Sequence, residues 1–246
     1  MSLPVHLVPS LAGVVVGSVV EVTGDEAHHA VAVRRLREGE RVVLTDGLGT
    51  SVTGEVAFTG KRVFTVTTGS VEQVARPQPA VTVIQALPKG ERGELAVEVL
   101  TEVGVDVIVP WAASRSVAVW KGERAGKSHA RWQATAREAA KQSRRSWLPT
   151  VTALASTADL AALVADADLA VVLHEGATVS LAALDVPPAG RIVVVVGPEG
   201  GIAPEELALL EGAGALTVQL GGEVLRTSTA GVVAVAALLS RTLRWA

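Results

Sequence analysis

The stretch "RIVVVVGPEGGIAPEEL", from Arg191 to Leu207, decides how this chain is read. It opens on a run of β-branched residues with no polar interruption, as expected of a strand buried on both faces in a parallel sheet. Gly-Pro-Glu-Gly-Gly ends the run, and Pro204, Glu205 and Glu206 then open a helix. Proline is preset for the first helical position, and carboxylates favour the positive end of a helix. A glycine-rich turn between strand and helix is a common resting place for phosphate. Here that position carries Glu199, Glu205 and Glu206, and neither G-x-G-x-x-G nor G-x-x-x-x-G-K-[ST] occurs. A diphosphate is disfavoured, and a neutral or cationic ligand is easier to place. A plain tight turn would use the same glycines with no ligand at all.

A second stretch, "VQLGGEVLRTSTAGVVAV" from Val218, repeats the arrangement. Gly221 and Gly222 end a strand, and Thr227 or Ser228 is placed to cap the closing helix. "LHEG", Leu173 to Gly176, ends a third strand in the same way. Ligands of open parallel sheets bind at the carboxyl ends of the strands, so three such ends predict one shallow crevice.

Further outward, strands and helices alternate from Val81 to the closing helix. "VTVIQAL", "VDVIVP", "DLAVVLHEG" and "LTVQLG" read as strands. "GELAVEVLTEVG", "SHARWQATAREAAKQSRRS", "DLAALVADA" and "PEELALLEGAG" read as helices, giving an α/β domain with a parallel sheet covered on both faces. The part before it has another texture. "GSVVEVTG", "ERVVLTDG", "TSVTGEVAF" and "KRVFTVTTG" are short strands parted by Gly or Asp-Gly turns, which predicts a small β-barrel. One helix interrupts them, "DEAHHAVAVRRLREG", with Asp25 as N-cap and Gly39 as stop. "ARPQPA" reads as a linker. The expected organisation is a barrel over residues 1–74, a linker over 75–80 and the α/β domain over 81–246.

Composition narrows the function. The 246 residues include no cysteine, which excludes disulfides and cysteine metal sites, and no bound metal is expected. The N-terminus lacks the basic and apolar regions of a secretory signal. Mean hydropathy is +0.40, yet the longest apolar run, Ala230 to Leu239, is about half the ~20 residues a spanning helix needs. A cytoplasmic protein without membrane partners is the expectation. Net charge is −3, but nine basic and two acidic residues fall between Arg115 and Arg145, whereas from Thr150 onward four basic residues face ten acidic ones. The basic segment is a candidate polyanion footprint, or a solvated helix face. On a continuous helix Arg137, Lys141 and Arg144 share one face, with Arg131 and Arg145 beside them. Gln142 can bond phosphate or base edges. Trp132 and Trp147 are placed either to stack on an unpaired base or to fill a core.

These blocks, in this order, resemble the RsmE-type 16S ribosomal RNA methyltransferases of the SPOUT (α/β-knot) superfamily. The resemblance rests on "HHAVAVRRLREGERVVLTDGLG", "LPKGERGELAVEVLTEVGVDVIVP", "RWQATAREAAKQSRRSWLP", "GPEGGIAPEE" and "LGGEVLRTSTA". It implies methylation of uridine N3 in 16S rRNA, within the 30S subunit, with S-adenosylmethionine as donor. It also implies a C-terminal SPOUT parallel-sheet domain tied as a trefoil knot, a small N-terminal PUA-like β-barrel that grips RNA, and a homodimer.

Carried over onto this chain, the cofactor pocket would be lined by Leu173, His174, Glu175, Gly197, Pro198, Glu199, Gly200, Gly201, Leu220, Gly221, Leu225, Arg226 and Thr227. Arg226 and Glu199 are the candidate catalytic residues. Uracil N3 is weakly acidic, so a cation that stabilises the developing N3/O2/O4 anion matters as much as a base. Arg226 suits that role, and a salt-bridged structural role is the alternative. Glu199 would bond cofactor or substrate, or cap backbone N–H groups. No residue stands out as general base; His174 is a positional candidate. Arg34 and Arg35 join Arg131, Arg137, Lys141, Gln142, Arg144 and Arg145 on the RNA side. Two departures stand out: Glu223 where a basic residue is common, and Ser228 where Glu is common, so no catalytic carboxylate is expected there. Another SPOUT enzyme acting on tRNA or a ribose hydroxyl, and a non-catalytic RNA-binding module, fit the same residues.

Overall fold

The computed structural model describes residues 3–245 and divides into two compact units. The first comprises Met1–Arg76 with Lys141–Leu148, and the second Pro77–Ala140 with Pro149–Ala246.

The first unit is built on β1 (Val5–Leu7), β2 (Val19–Thr23), α1 (Gly24–His28), β3 (Arg41–Thr45), β4 (Thr50–Thr59) and β5 (Val63–Gln73). The strands order as β1-β3-β4-β5-β2; β1 pairs parallel to β3 and the other pairs are antiparallel. Alternate residues of these strands, among them Val42, Leu44, Val52, Val56, Phe64 and Val66, close one apolar core. The helix is shorter than its sequence predicts. Thr23, not Asp25, is the cap residue, and after α1 a single wide turn over His29–Val33 ends the element well before Gly39. Arg35 turns left-handed at φ 58°, which brings Leu36 back into the core, where its N–H reaches Ala30. Burial of Leu36 outweighs the helical propensity of the arginines. The segment 141–148 is part of this unit: Trp147 forms a bridge with Leu48, and its indole N–H donates to the Val74 carbonyl at 2.9 Å.

Under the same core lies a half-buried charge cluster absent from the sequence expectation. Lys141 Nζ donates to both oxygens of Glu26, at 2.8 and 3.1 Å, and His6 Nδ1 lies 3.2 Å from Glu26 Oε1. Burial opposes ionisation of Glu26, but the hydrogen bonds and charge of His6 and Lys141 prevail and hold its pKa at about 2.

The second unit contains β6 (Ala80–Ala86), α2 (Arg92–Val103), β7 (Val107–Trp111), α3 (Glu123–Gln142, up to Ala140), β8 (Thr150–Val151), α4 (Thr157–Ala165), β9 (Leu169–Leu173), β10 (Arg191–Val196), α5 (Pro204–Gly212), β11 (Leu216–Val218) and α6 (Thr227–Leu239). Its six strands are all parallel in the order β11-β9-β10-β6-β7-β8. The alternation of β10 explains its unbroken apolar run. Ile192, Val194 and Val196 face the core shared with α2, α3 and α6, while Val193 and Val195 face the core shared with α4 and α5.

One helix start differs from expectation and another agrees with it. Neither Thr227 nor Ser228 caps α6; Arg226 occupies the cap position without a side-chain bond. The expected capping of α5 is met through Glu206, whose Oε2 accepts from the Ala203 N–H at 3.2 Å. Below the sheet, Arg244 reaches back to the buried Asp106. Its guanidinium bonds both Asp106 oxygens, at 2.7 and 3.3 Å, and the carbonyls of Pro79 and Gly104, while Val81 N–H fills Asp106 Oδ2 from the other side. No helix among the described residues is long and apolar enough to cross a membrane.

Candidate active site

Strands β11, β9 and β10 lie side by side, so their carboxyl ends open at one place. There a cavity of about 650 Å³ forms. Every residue proposed for the cofactor lines it: Leu173, His174 and Glu175 after β9, Gly197 to Gly201 after β10, and Leu220, Gly221, Leu225, Arg226 and Thr227 after β11. Three loops that follow neighbouring strands are placed together by the sheet.

The loop after β10 is shaped by close packing. The Gly201 N–H closes a turn onto the Pro198 carbonyl at 2.9 Å, with Gly201 at φ 74°. A Cβ on Gly200 would stand 3.0 Å from the Arg115 carbonyl oxygen, so even alanine forces the backbone to give. The acids of this segment work as acceptors for neighbouring loops. Glu199 Oε1 accepts from the Lys89 N–H at 3.1 Å, which ties the turn to the end of β6. Glu206 is buried and accepts from the Ser114 N–H at 2.8 Å and the Thr157 hydroxyl at 2.9 Å. Burial works against its ionisation, yet these bonds together keep its carboxyl below the ordinary range.

His174 is placed at the cavity but arranged against acting as a base. Its Nδ1 accepts from the Gly176 N–H at 3.0 Å, so in the neutral ring the proton sits on Nε2. Arg226 is exposed at the cavity and, among the described residues, ion-paired with none. Ser228 is buried in α6, and Glu223 adds a carboxylate to the cavity wall. Sequence reasoning missed Arg92 and Arg115, which reach the same cavity from beyond β6 and β7. The signal was available only as topology, because these ends adjoin β10 solely through the strand order.

The basic segment is placed differently from its sequence reading. Helix α3 stops at Gln142, and Arg144 lies past its end in the left-handed region at φ 55°. Arg137, Lys141 and Arg144 therefore do not form one helical stripe; the helix ends before its third member. Lys141 is occupied by Glu26, Arg131 pairs with Glu94 at 3.3 Å, and Arg137 with Glu138 at 3.4 Å. Gln142, Arg34, Arg35 and Arg144 are exposed, and Arg145 is half-buried. Trp132 belongs to the core, edge-on to Trp120 at 5.0 Å, and Trp147 is held against Gly49 with Arg76 above its ring.

The chain matches two family models, an RNA methyltransferase domain over residues 76–239 and an RNA methyltransferase PUA domain over residues 22–68. It is 47% identical over 236 residues to the ribosomal RNA small subunit methyltransferase E of Mycobacterium tuberculosis, covering 93% of this chain and 89% of the relative. The Bacillus subtilis protein of the same name is 31% identical, covering 90% of each. Among solved structures, a Legionella pneumophila methyltransferase bound to SAM superposes with a TM-score of 0.89 at 27% identity, covering 98% of this chain and 99% of that one. A Neisseria gonorrhoeae ribosomal RNA small subunit methyltransferase E bound to S-adenosyl methionine gives 0.86 at 27%, covering 97% and 98%. On these matches, which run nearly end to end, the chain belongs to the ribosomal RNA small subunit methyltransferase E family.

Proposed function

We propose that this chain methylates N3 of a uridine in 16S rRNA, using S-adenosylmethionine, and that it acts as a cytoplasmic homodimer on the 30S particle. The observation that carries the reading is the convergence of three strand-end loops on one cavity, each loop supplying residues of the family's donor motifs.

The cavity suits that donor chemically. A volume of about 650 Å³ is of the size small-molecule sites take. Glu175, Glu199 and Glu223 in its wall favour a ligand that carries cationic groups. Its glycine backbone leaves N–H and C=O groups open to an adenosyl moiety. The donor supplies an electrophilic methyl group when bound. The residues that would hold it are Leu173 to Glu175, Gly197 to Gly201, Leu220, Gly221, Leu225 and Thr227.

The chain's own task is to place a uracil edge and to stabilise the charge that develops as N3 loses its proton. Arg226 is the group we assign to that charge, since its guanidinium is at the cavity and carries no carboxylate partner among the described residues. Glu199 is the second assigned residue. One of its oxygens fixes the turn through Lys89, which leaves the other for a donor group of ligand or base. Holding both reactants in line supplies much of the rate. RNA binding we assign to Arg34, Arg35 and the barrel of residues 1–74, and to Arg131, Arg137, Gln142, Arg144 and Arg145, with Lys141 holding the segment in place through Glu26. The trefoil threading of the domain over residues 81–246 belongs to the same proposal. The deciding experiment is methyl transfer to purified 30S particles from a strain lacking the gene, followed by mapping of the modified nucleotide. Methyl transfer only to tRNA, or a ribose 2′-O-methyl product, would overturn the reading.

A further inference from the structure

We infer that Arg92 and Arg115 form a phosphate anchor for the substrate RNA on the β6–β7 side of the cavity. The inference rests on the methyltransferase reading above and deepens it, by naming which wall of the site receives the nucleic acid.

Charge is sorted around the cavity by strand order. The acids Glu175, Glu199 and Glu223 follow β9, β10 and β11. Arg92 follows β6 and Arg115 follows β7, the strands on the other flank of β10. Arg226 stands at the cap of α6, which packs on β10 and β6. A cationic methyl donor is served by the acidic flank, and a polyanion by the other.

Two features mark these arginines as kept for a ligand. Arg92 is the first residue of α2, where a cation opposes the helix dipole and costs stability rather than adding it. The carboxylate in that first turn, Glu94, is turned to Arg131 instead. Arg115 touches protein only weakly, with Nη1 3.5 Å from the Gly200 carbonyl, at the limit of a hydrogen bond. Among the described residues neither arginine has a carboxylate partner, whereas Arg62, Arg131, Arg137, Arg191 and Arg244 each do. Two exposed guanidiniums at one cavity mouth offer bidentate donors at the spacing of neighbouring loops, the chemistry that phosphate oxygens accept. Such contacts fix the register of the strand and leave base choice to the cavity.

The test uses the whole chain and purified 30S particles from a strain lacking the gene, with Arg92→Ala, Arg115→Ala and the double variant. Arg191→Ala, at the opposite end of β10, is the control for lost charge. RNA affinity is measured across a salt series, donor affinity by calorimetry, and methyl transfer at saturating donor. Each alanine should lower the slope of log affinity against log salt by about 0.7–0.9 and raise KM for RNA about tenfold, with donor affinity and kcat kept. An unchanged slope and KM in the double variant would overturn the inference. So would a loss of donor affinity with RNA binding intact, which would assign the arginines to the donor's carboxylate. A wild-type protein that binds the particles but methylates no small-subunit RNA would sink the functional reading itself, and the salt slopes would still decide whether the arginines hold RNA.

Discussion

The loop after β10 and the basic segment ending α3 both stood out in the sequence, and the structure treats them in opposite ways. The loop forms the turn its sequence predicts, because glycines and a proline dictate it, and the parallel sheet sets that turn beside two others. The basic segment is built from long side chains, and what each does depends on distant partners. Lys141 belongs to Glu26, 115 residues away, and Arg144 leaves the helix altogether. Function written in backbone geometry is local; function written in charge is only as good as the list of charges already engaged.

The sharpest break of this contrast is Arg226→Ala. It removes a side chain from the glycine-built site and leaves the loops in place. Turnover should fall by about 10²–10³ with RNA affinity unchanged, read by single-turnover methyl transfer beside filter binding. Reversing Arg144 and Arg145 to Glu should do the reverse, weakening RNA binding by about tenfold or more at low salt while donor affinity holds. If RNA affinity stays the same, the basic segment has no part in binding.

Gly200→Val tests the backbone side. The new side chain meets the Arg115 carbonyl, so the turn must move. At 100 times its dissociation constant the donor should stabilise the wild type by about 2.7 kcal/mol, and calorimetry should show most of that shift gone in the variant.

Smaller effects separate Lys141 from its neighbours. Lys141→Met leaves Glu26 half-buried with only His6 and the Leu7 N–H of its present partners. It should cost about 1–3 kcal/mol of stability, less than a fully buried pair because both side chains keep some water. Its RNA affinity should change less than that of the Arg144 and Arg145 reversal. Glu26 also carries a pH signature. Its folded pKa of about 2 lies below the ordinary 4.5, so its contribution is complete above pH 4.5 and is lost as pH falls toward 2. Glu26→Gln should flatten acid denaturation in that window, as followed by circular dichroism.

Much of the second unit was legible. β9 and β10 lie within the runs that the apolar pattern marks, β6 and β7 overrun theirs by one residue, and the cavity loops follow from where those runs stop. The remainder depended on contacts a local reading does not contain. β1 is three residues long and finds its place only by pairing with β3. The first helix was read too long because its charged second half has helical propensity, whereas Leu36 is needed in the core. Glu206 was read both as helix-start capping and as charge that disfavours phosphate; the capping is present, and the same buried carboxylate also accepts from Ser114 and Thr157, which only the fold brings to it. Arg92 and Arg115 were passed over because nothing in sequence says that β6 lies next to β10.

The clamp between Arg244 and Asp106 has a consequence for how this domain is made. Asp106 lies just before β7, and its guanidinium partner follows 138 positions later. During synthesis the early strands emerge before that guanidinium, and a buried carboxylate that has lost its cation is costly. The clamp therefore closes only once α6 and Arg244 have been made, so a late turn fastens a loop laid down much earlier.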